Sequence, residues 1–338
     1  MNEPAVQLAH GGGGRLSRDL IRAEILSRFG AGPLRSLPDG ATLPRPEGPI
    51  VFTTDSFVVQ PVEFPGGNIG HLAVHGTVND LAVSGSRPRW LSLGLILEEG
   101  LPLDTLRRVL DSVRDAAADC GVVVATGDTK VVGRGQCDGL YINTAGIGDA
   151  LPGFDLAPGR IREGDAVLAS GPLGDHGMAV LACREGIRIR NGPASDTAPV
   201  HRLVLAAQAF AAQVRFMRDP TRGGAAAVLN EIVEGSPLHI VLREGDVPLS
   251  SGTKAVAEML GLDPLHVASE GRAILVCDAA AAEAILAAWR ALPEGRGAAR
   301  MGRVARGGAP AGRVILETCT GGHRLVDVPR GELLPRIC

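Results

Sequence analysis

The sequence predicts an α+β protein of two domains followed by a short C-terminal arm. Three observations lead there. At 338 residues the chain is longer than one hydrophobic core usually serves. Apolar runs of strand length alternate with segments of helical period, and the runs around 122–147 read as a hairpin rather than as parts of a purely parallel sheet. The last stretch carries Pro329 and Pro335 and ends on Cys338, which reads as an extended arm. These place the domains at 1–152 and 153–328, with the first break at Leu151-Pro152-Gly153, and a mobile tail at 329–338.

Composition narrows the function. With 45% hydrophobic and 21% charged residues the chain is an ordinary globular one. A net charge of −3 and 3% aromatic residues give neither the electrostatic footprint nor the stacking platforms of a nucleic-acid binder. The six cysteines show no CxxC and no paired spacing, which excludes the common zinc patterns and a disulfide framework. No apolar run reaches the ~18 residues of a membrane helix, and the N-terminus lacks a signal-peptide pattern. The expectation is a cytoplasmic protein that engages neither membrane nor nucleic acid.

Taken in order, His10-Gly11-Gly12-Gly13-Gly14 feeds a helical pattern of Leu16, Leu20, Ile21, Ile25 and Phe29. A glycine loop before a helix N-terminus is compatible with an anion site or with a plain linker. Pro49 to Ser56 is an apolar strand bearing Asp55. Asn68 is placed to cap a helix that carries Asn79 and Asp80 and stops at Ser84-Gly85. Trp90 to Leu97 is a second strand. Pro102 opens and Gly121 closes an amphipathic helix. Val122 to Thr126 is a strand running into Gly127-Asp128-Thr129-Lys130, and Leu140 to Ile147 is the last strand of this half. In the second half, strand 165–169 precedes Gly174-Asp175-His176-Gly177 and a helix. An alanine-rich helix spans about 200–214, and Asp219-Pro220-Thr221-Arg222-Gly223-Gly224 opens another. Strands at 239–242, 272–277 and 314–317 and helices at 253–260 and 280–289 complete it.

Asp55, Asp80, Asp128 and Asp219 converge from several elements with no His or Cys partner, a donor set that suits a hard cation such as Mg²⁺. Each alone reads more readily as a turn or cap residue, and it is the joint pattern with the glycine motifs that favours a metal–nucleotide site. His10 and His176 have the same bland reading. No Rossmann fingerprint and no P-loop is present. Cys338 closes an arm that could stretch roughly 30 Å at about 3.3 Å per residue, enough for its sulfur to visit a partner and return. It is read as a substrate carrier.

These motifs, with Thr53-Thr54-Asp55-Ser56, Pro65-Gly66-Gly67-Asn68-Ile69-Gly70, Ala268-Ser269-Glu270-Gly271 and the closing Pro335-Arg336-Ile337-Cys338, resemble the HypE family. These are hydrogenase-maturation carbamoyl dehydratases of the PurM-like ATP-binding superfamily. The resemblance spans essentially the whole chain. Its middle motifs are shared with aminoimidazole ribonucleotide synthetase, selenophosphate synthetase and thiamine-monophosphate kinase, so another ATP-dependent synthetase or kinase is the alternative. The Pro-Arg-Ile-Cys end is particular to the dehydratases. Gly12 stands where the family commonly has serine, which removes a hydroxyl contact and leaves the backbone amides.

The resemblance implies an N-terminal domain that forms a dimeric β-barrel with helices outside, a C-terminal α/β sandwich and a flexible tail. It implies ATP and Mg²⁺, a homodimer, a carbamoyltransferase partner (HypF) and a HypC–HypD iron scaffold. The reaction would turn a carboxamide on Cys338 into a thiocyanate, the source of cyanide for [NiFe]-hydrogenase. Nucleotide contacts would fall to His10, Gly11, Gly12, Gly13, Gly14, Asn68, Asp128, Thr129, Asp175 and Asp219, and Mg²⁺ to Asp55, Asp80, Asp128 and Asp219. Lys130 and Glu270 would act on the carbamoyl group, with Glu270 as base.

Overall fold

The computed structural model describes residues 4–30, 32–46, 48–307, 312–328 and 337–338. A helical N-terminal segment, α1 (Arg15–Leu20) running through 21–26 into α2 (Ser27–Phe29), leads to a four-stranded sheet. The strands are β1 (Ile50–Phe57), β4 (Ser86–Glu98), β5 (Val123–Val132) and β6 (Leu140–Ala150), and a small hairpin of β2 (Glu63–Phe64) and β3 (Gly67–Asn68) follows β1. The order is β1-β6-β4-β5.

Helix α3 (Ile69–Val83) is buried along its whole length except at His71 and Asp80. Being apolar all round, it is a core helix, packed on the sheet, on α4 (Leu103–Cys120) and on the second domain. Helix α4 buries one stripe, Leu106, Val109, Leu110 and Val113, against it, each such burial contributing about 1.5–3 kcal/mol. Gly121 ends α4 at φ +66°. The other face of the sheet has no helix over it among the described residues, and Ile50, Phe52 and Ile96 stand there 56%, 64% and 39% exposed.

The expected hairpin at 122–147 is not formed. Strand β4 lies between β5 and β6, pairing parallel with the first and antiparallel with the second. A helix crossover through α4 makes the parallel pair, and the connection 133–139 is long enough to carry the chain past β4 to its far edge.

The second domain is a seven-stranded sheet in the order β13-β12-β9-β11-β7-β10-β8. Its elements in chain order are β7 (Ala166–Ala169), α5 (Asp175–Arg184), α6 (His201–Ala207), β8 (Val214–Arg218), α7 (Gly224–Val233), β9 (Leu238–Arg243), α8 (Ser251–Leu260), β10 (Ile274–Cys277), α9 (Ala282–Arg290), β11 (Ala299–Arg306), β12 (Val314–Glu317) and β13 (His323–Leu325). Leu229 and Ile232 of α7 cover one face, and α6 and α9 cover the other with Leu203, Ile285 and Trp289.

Two departures from expectation stand here. The alanine-rich helix stops at Ala207 and the chain re-enters the sheet as β8. A five-residue segment, Val214 to Arg218, is too short for its period to be decisive, and pairing with β10 settles it as a strand. Strand β11 was not expected because its alternation is broken by a bulge between Arg300 and Gly302. Among the described residues no helix is long and apolar enough to cross a membrane.

The two domains meet along α3 and a loop at 191–200. Ser195 N–H donates to the Pro65 carbonyl (2.8 Å), and Val200 N–H donates to Asn79 Oδ1 (2.7 Å). This seam holds the site.

Candidate active site

Four acidic side chains gather at the seam. Asp55 projects from the α3 side of β1, the face it shares with Thr53 and Phe57. Gly76 of α3 makes room there, since a Cβ on it would stand 2.8 Å from the Phe57 ring and 3.6 Å from Asp55 Oδ2. Asp80 comes from the last turn of α3 and accepts from Thr53 Oγ1 at 2.9 Å.

Asp219 sits in the turn between β8 and α7. Gly223 and Gly224 hold that turn at φ +75° and +63°, and a Cβ on Gly224 would meet the Leu265 carbonyl at 2.6 Å. Only glycine allows the turn to press on the 265–271 loop. Ser269 N–H donates across to the Pro220 carbonyl (2.9 Å), and the next residue is Glu270.

The electrostatics follow from burial. Desolvation raises both Asp55 and Asp80 from the ordinary carboxylate value; Asp80 adds to the rise of Asp55, the Thr53 hydroxyl opposes that of Asp80, and Arg222 opposes both. Asp219 is pushed up to about 7, by burial first and then by Asp80 and Asp55. Glu270 is raised well above its ordinary value by burial and then by Asp219, Asp196, Asp55 and Asp80. Glu270 Oε1 is buried and has no hydrogen-bond partner, a costly condition for a polar atom unless something else is bound there.

The end of the chain enters this cluster. Ile337 is 4% exposed and joins the core that holds Val180 and Ala268. His176 Nε2 lies 2.7 Å from the Ile337 carbonyl and Nδ1 lies 2.8 Å from Ser195 Oγ. Burial lowers His176 to about 4, so the ring is neutral. A carbonyl only accepts, so Nε2 donates to it and Nδ1 accepts from Ser195. Val58 N–H donates to the Cys338 main-chain oxygen at 3.1 Å.

The docked thiol is raised far above its ordinary value by burial, then by Glu270, with Arg222 opposing and Asp55 and Asp219 adding. Docked, this cysteine is a thiol and not a nucleophile. Residues 329–336, read as part of a mobile arm, lie outside the described residues.

His176→Ala would strand the buried Ile337 carbonyl, at a cost of about 1–3 kcal/mol. Peptide-resolved alkylation by iodoacetamide is therefore expected to label Cys338 at least fivefold faster in that variant. An unchanged rate would show that the imidazole does not hold the tail.

The other expected site residues lie elsewhere in the chain. Asp128 and Lys130 are inside β5 and not after it. They form an exposed ion pair (3.1 Å) on the face that carries Ser56 and Asn143, opposite to that of Asp55. Gly11 packs on Val131, where a Cβ would stand 2.9 Å from the Val131 Cβ, so the glycine loop lies along the same strand. His10 Nδ1 accepts from Gln7 N–H at 3.0 Å, and Gly12, Gly13 and Gly14 are exposed. Thr129 and Asp128 border an apolar cavity of about 120 Å³ between Ile21, Ile25 and Phe29 and the strands β4 and β5.

Asn68 is committed to the helix cap, accepting from Gly70 N–H (2.9 Å) and donating to Ser112 Oγ (2.8 Å). Asp175 Oδ1 accepts from Ser250 (2.6 Å) and Thr253 (2.5 Å), tying α5 to α8. So Asp55, Asp80, Asp219, Glu270 and Cys338 come together. His10–Gly14, Asp128, Thr129 and Lys130 form a second group along β5.

Sequence reasoning missed Arg222, Asn79, Asp196 and the tail-holding role of His176. Arg222 had a signal, a cation three residues past Asp219 in one turn. Asp196 had none, because its partners are far along the chain.

Residues 38–150 match the family described as AIR synthase related protein, N-terminal domain, and residues 162–315 match its C-terminal domain. The carbamoyl dehydratase HypE of Rhodobacter capsulatus is 47% identical over 341 residues, covering 100% of this chain and 99% of that protein. A crystal structure of the hydrogenase maturation protein HypE in complex with ATP superposes with a TM-score of 0.94 at 46% identity, covering 98% of this chain and 99% of that one. A HypE–HypF complex aligns with a TM-score of 0.80 at 38% identity, covering 92% of this chain and 99% of its own.

Proposed function

The chain belongs to the HypE carbamoyl dehydratases of the AIR synthase related family, and on that footing we infer that it dehydrates a carboxamide carried on its own Cys338. The observation that carries the reading is the docked tail, which sets that sulfur among Glu270, Asp55, Asp219 and Arg222. Burial that keeps the free thiol protonated also favours a neutral thiocarboxamide over any charged form. The sulfur accordingly takes up its carbamoyl group as a thiolate outside the pocket and returns loaded.

An amide oxygen is a poor leaving group, so it is first phosphorylated. The carboxamide oxygen takes the γ-phosphoryl group of ATP as one N–H proton leaves. The C–O bond then breaks, that oxygen departs within phosphate, and loss of the second N–H proton completes S–C≡N. One S–C(=O)–NH₂ and one ATP give one S–C≡N, ADP and phosphate. Glu270, with Oε1 unpartnered, is assigned to receive an N–H proton. A cation held on the neighbouring carboxylates would lower its affinity for its resting proton.

The donor chemistry at the seam fits Mg²⁺. Asp219 is buried and Asp55 and Asp80 are half-buried, Asp80 raises Asp55, and both of them raise Asp219. Among the described residues no three such groups are arranged to cage an ion, so the expected four-aspartate set is not formed, and a cation here would be held by one or two carboxylates together with phosphate oxygens. When bound it supplies charge neutralisation. The apolar cavity beside Thr129 suits the adenine base, and the glycine loop the phosphates.

Lys130 is assigned to an assembly of two copies. The open face of the first sheet, bearing Lys130 with exposed Phe52 and Ile50, suits closure into a β-barrel by a second copy. A HypF-type carbamoyltransferase is the expected donor and a HypC–HypD scaffold the acceptor of the cyanide, in the cytoplasm.

The test is intact-mass spectrometry of the full chain after incubation with a HypF-type transferase, its substrates and MgATP. The expected result is a carbamoyl adduct that then loses one water. An adduct that persists with MgATP present would overturn the dehydratase reading.

A further inference from the structure

Glu270 is held through its peptide group. Its carbonyl accepts from Asn79 Nδ2 (3.0 Å), contributed by the first domain, and its N–H donates to Asp196 Oδ1 (3.0 Å), contributed by the 191–200 loop. Asn79 is fully buried, and its amide also donates to the Ala198 carbonyl (3.0 Å) and accepts from Val200 N–H (2.7 Å). Both N–H donors and the oxygen of one side chain are engaged in joining Glu270 to that loop. Asp196 is 8% exposed, and its second oxygen stands 3.4 Å from Arg272 Nε. The following Gly271 completes the clasp, since a Cβ there would overlap the Asp196 carbonyl and come within 2.6 Å of Ala198 N. Glu270 and its neighbour are thus gripped on both sides, while the carboxyl Oε1 is left unpartnered.

A helix cap or turn would be satisfied within one element. This arrangement instead runs from α3 through a loop of the other domain to the one carboxylate whose placement the chemistry needs. We propose that Asn79 and Asp196 are positioning residues that fix Glu270 against the carboxamide on Cys338, so that seating of the 191–200 loop sets the place of the base. The proposal rests on the dehydratase reading above. It concerns the rate of the chemical step and not nucleotide affinity, because neither side chain lies in the group along β5.

The experiment follows the full chain, carbamoylated on Cys338, through a single turnover with MgATP. It reads the rate constant for water loss and the ATP concentration giving half of it, in wild type, Asn79→Ala, Asp196→Ala and Asp196→Asn. Asn79→Ala and Asp196→Ala are expected to slow water loss about 10²-fold, the scale of a misplaced catalytic group, with half-saturating ATP unchanged. Asp196→Asn keeps an oxygen to accept the Glu270 N–H and is expected to recover most of that loss. Unchanged rates, a rate and ATP response that fail together, or an asparagine variant as slow as the alanine one would each overturn the proposal. Should Asn79→Ala not fold, the Asp196 pair decides alone. Failure of wild type to lose water would instead sink the dehydratase reading, so the two failures are distinguishable.

Discussion

Cys338→Ala is expected to abolish both the carbamoyl adduct and the thiocyanate that follows, with no product detectable by intact mass. The loss should be complete because no other thiol reaches the cluster. Cys120 and Cys277 are buried in the cores, and Cys183, Cys319 and Cys137 lie in other parts of the chain. Burial raises Cys120 and Cys277 to about 12, so neither offers a thiolate for carbamoylation. The fold should survive, since Ile337 and not Cys338 supplies the apolar contact of the tail. ATP should still bind. An adduct of equal yield on the alanine variant would place the carrier elsewhere and return the small-molecule synthetase reading.

The second large effect is expected at Glu270. Glu270→Gln keeps the shape and the peptide contacts of the side chain and removes its ability to take a proton. Removing a positioned general base costs about 10²–10⁴-fold in rate. Tail docking should be intact, because His176 and Val58 make the hydrogen bonds that hold it. The variant should therefore accumulate carbamoylated Cys338 and release almost no water. Mass spectrometry over a time course reads both species at once. A slowing of less than tenfold would remove Glu270 from the role of base.

Much of the architecture was legible because it was local. The Pro102–Gly121 helix declared itself by period and by its closing glycine, and Asn68 by its place before an apolar helix. Strand neighbours were not legible in the same way. That β4 separates β5 from β6 depends on contacts between residues far apart, and nothing in 122–147 encodes it. Residues 127–130 read as following a strand because they are polar, whereas one face of β5 is open and tolerates polar side chains. The site divides along the same line. Asp55, Asp80, Asp219 and Glu270 stood out through their motifs. His176 meets Ile337 across 161 positions and Asp196 meets Glu270 across 74, and no spacing rule reaches so far.

The seating of Ile337 has a consequence for traffic between proteins. Its side chain completes a hydrophobic core of the first domain, and burying an isoleucine favours the seated form by about 1.5–3 kcal/mol. The sulfur thus has a home, and any partner that charges or unloads it competes with that home for the same residues. A partner's apparent affinity is discounted by the fraction of time the tail spends away. Weak grip by the partner would leave the sulfur unvisited, and excessive grip would keep the loaded group from the catalytic cluster. Flux through the protein is then governed by a balance of two affinities for one isoleucine and its neighbour, set as much by the pocket as by the partner.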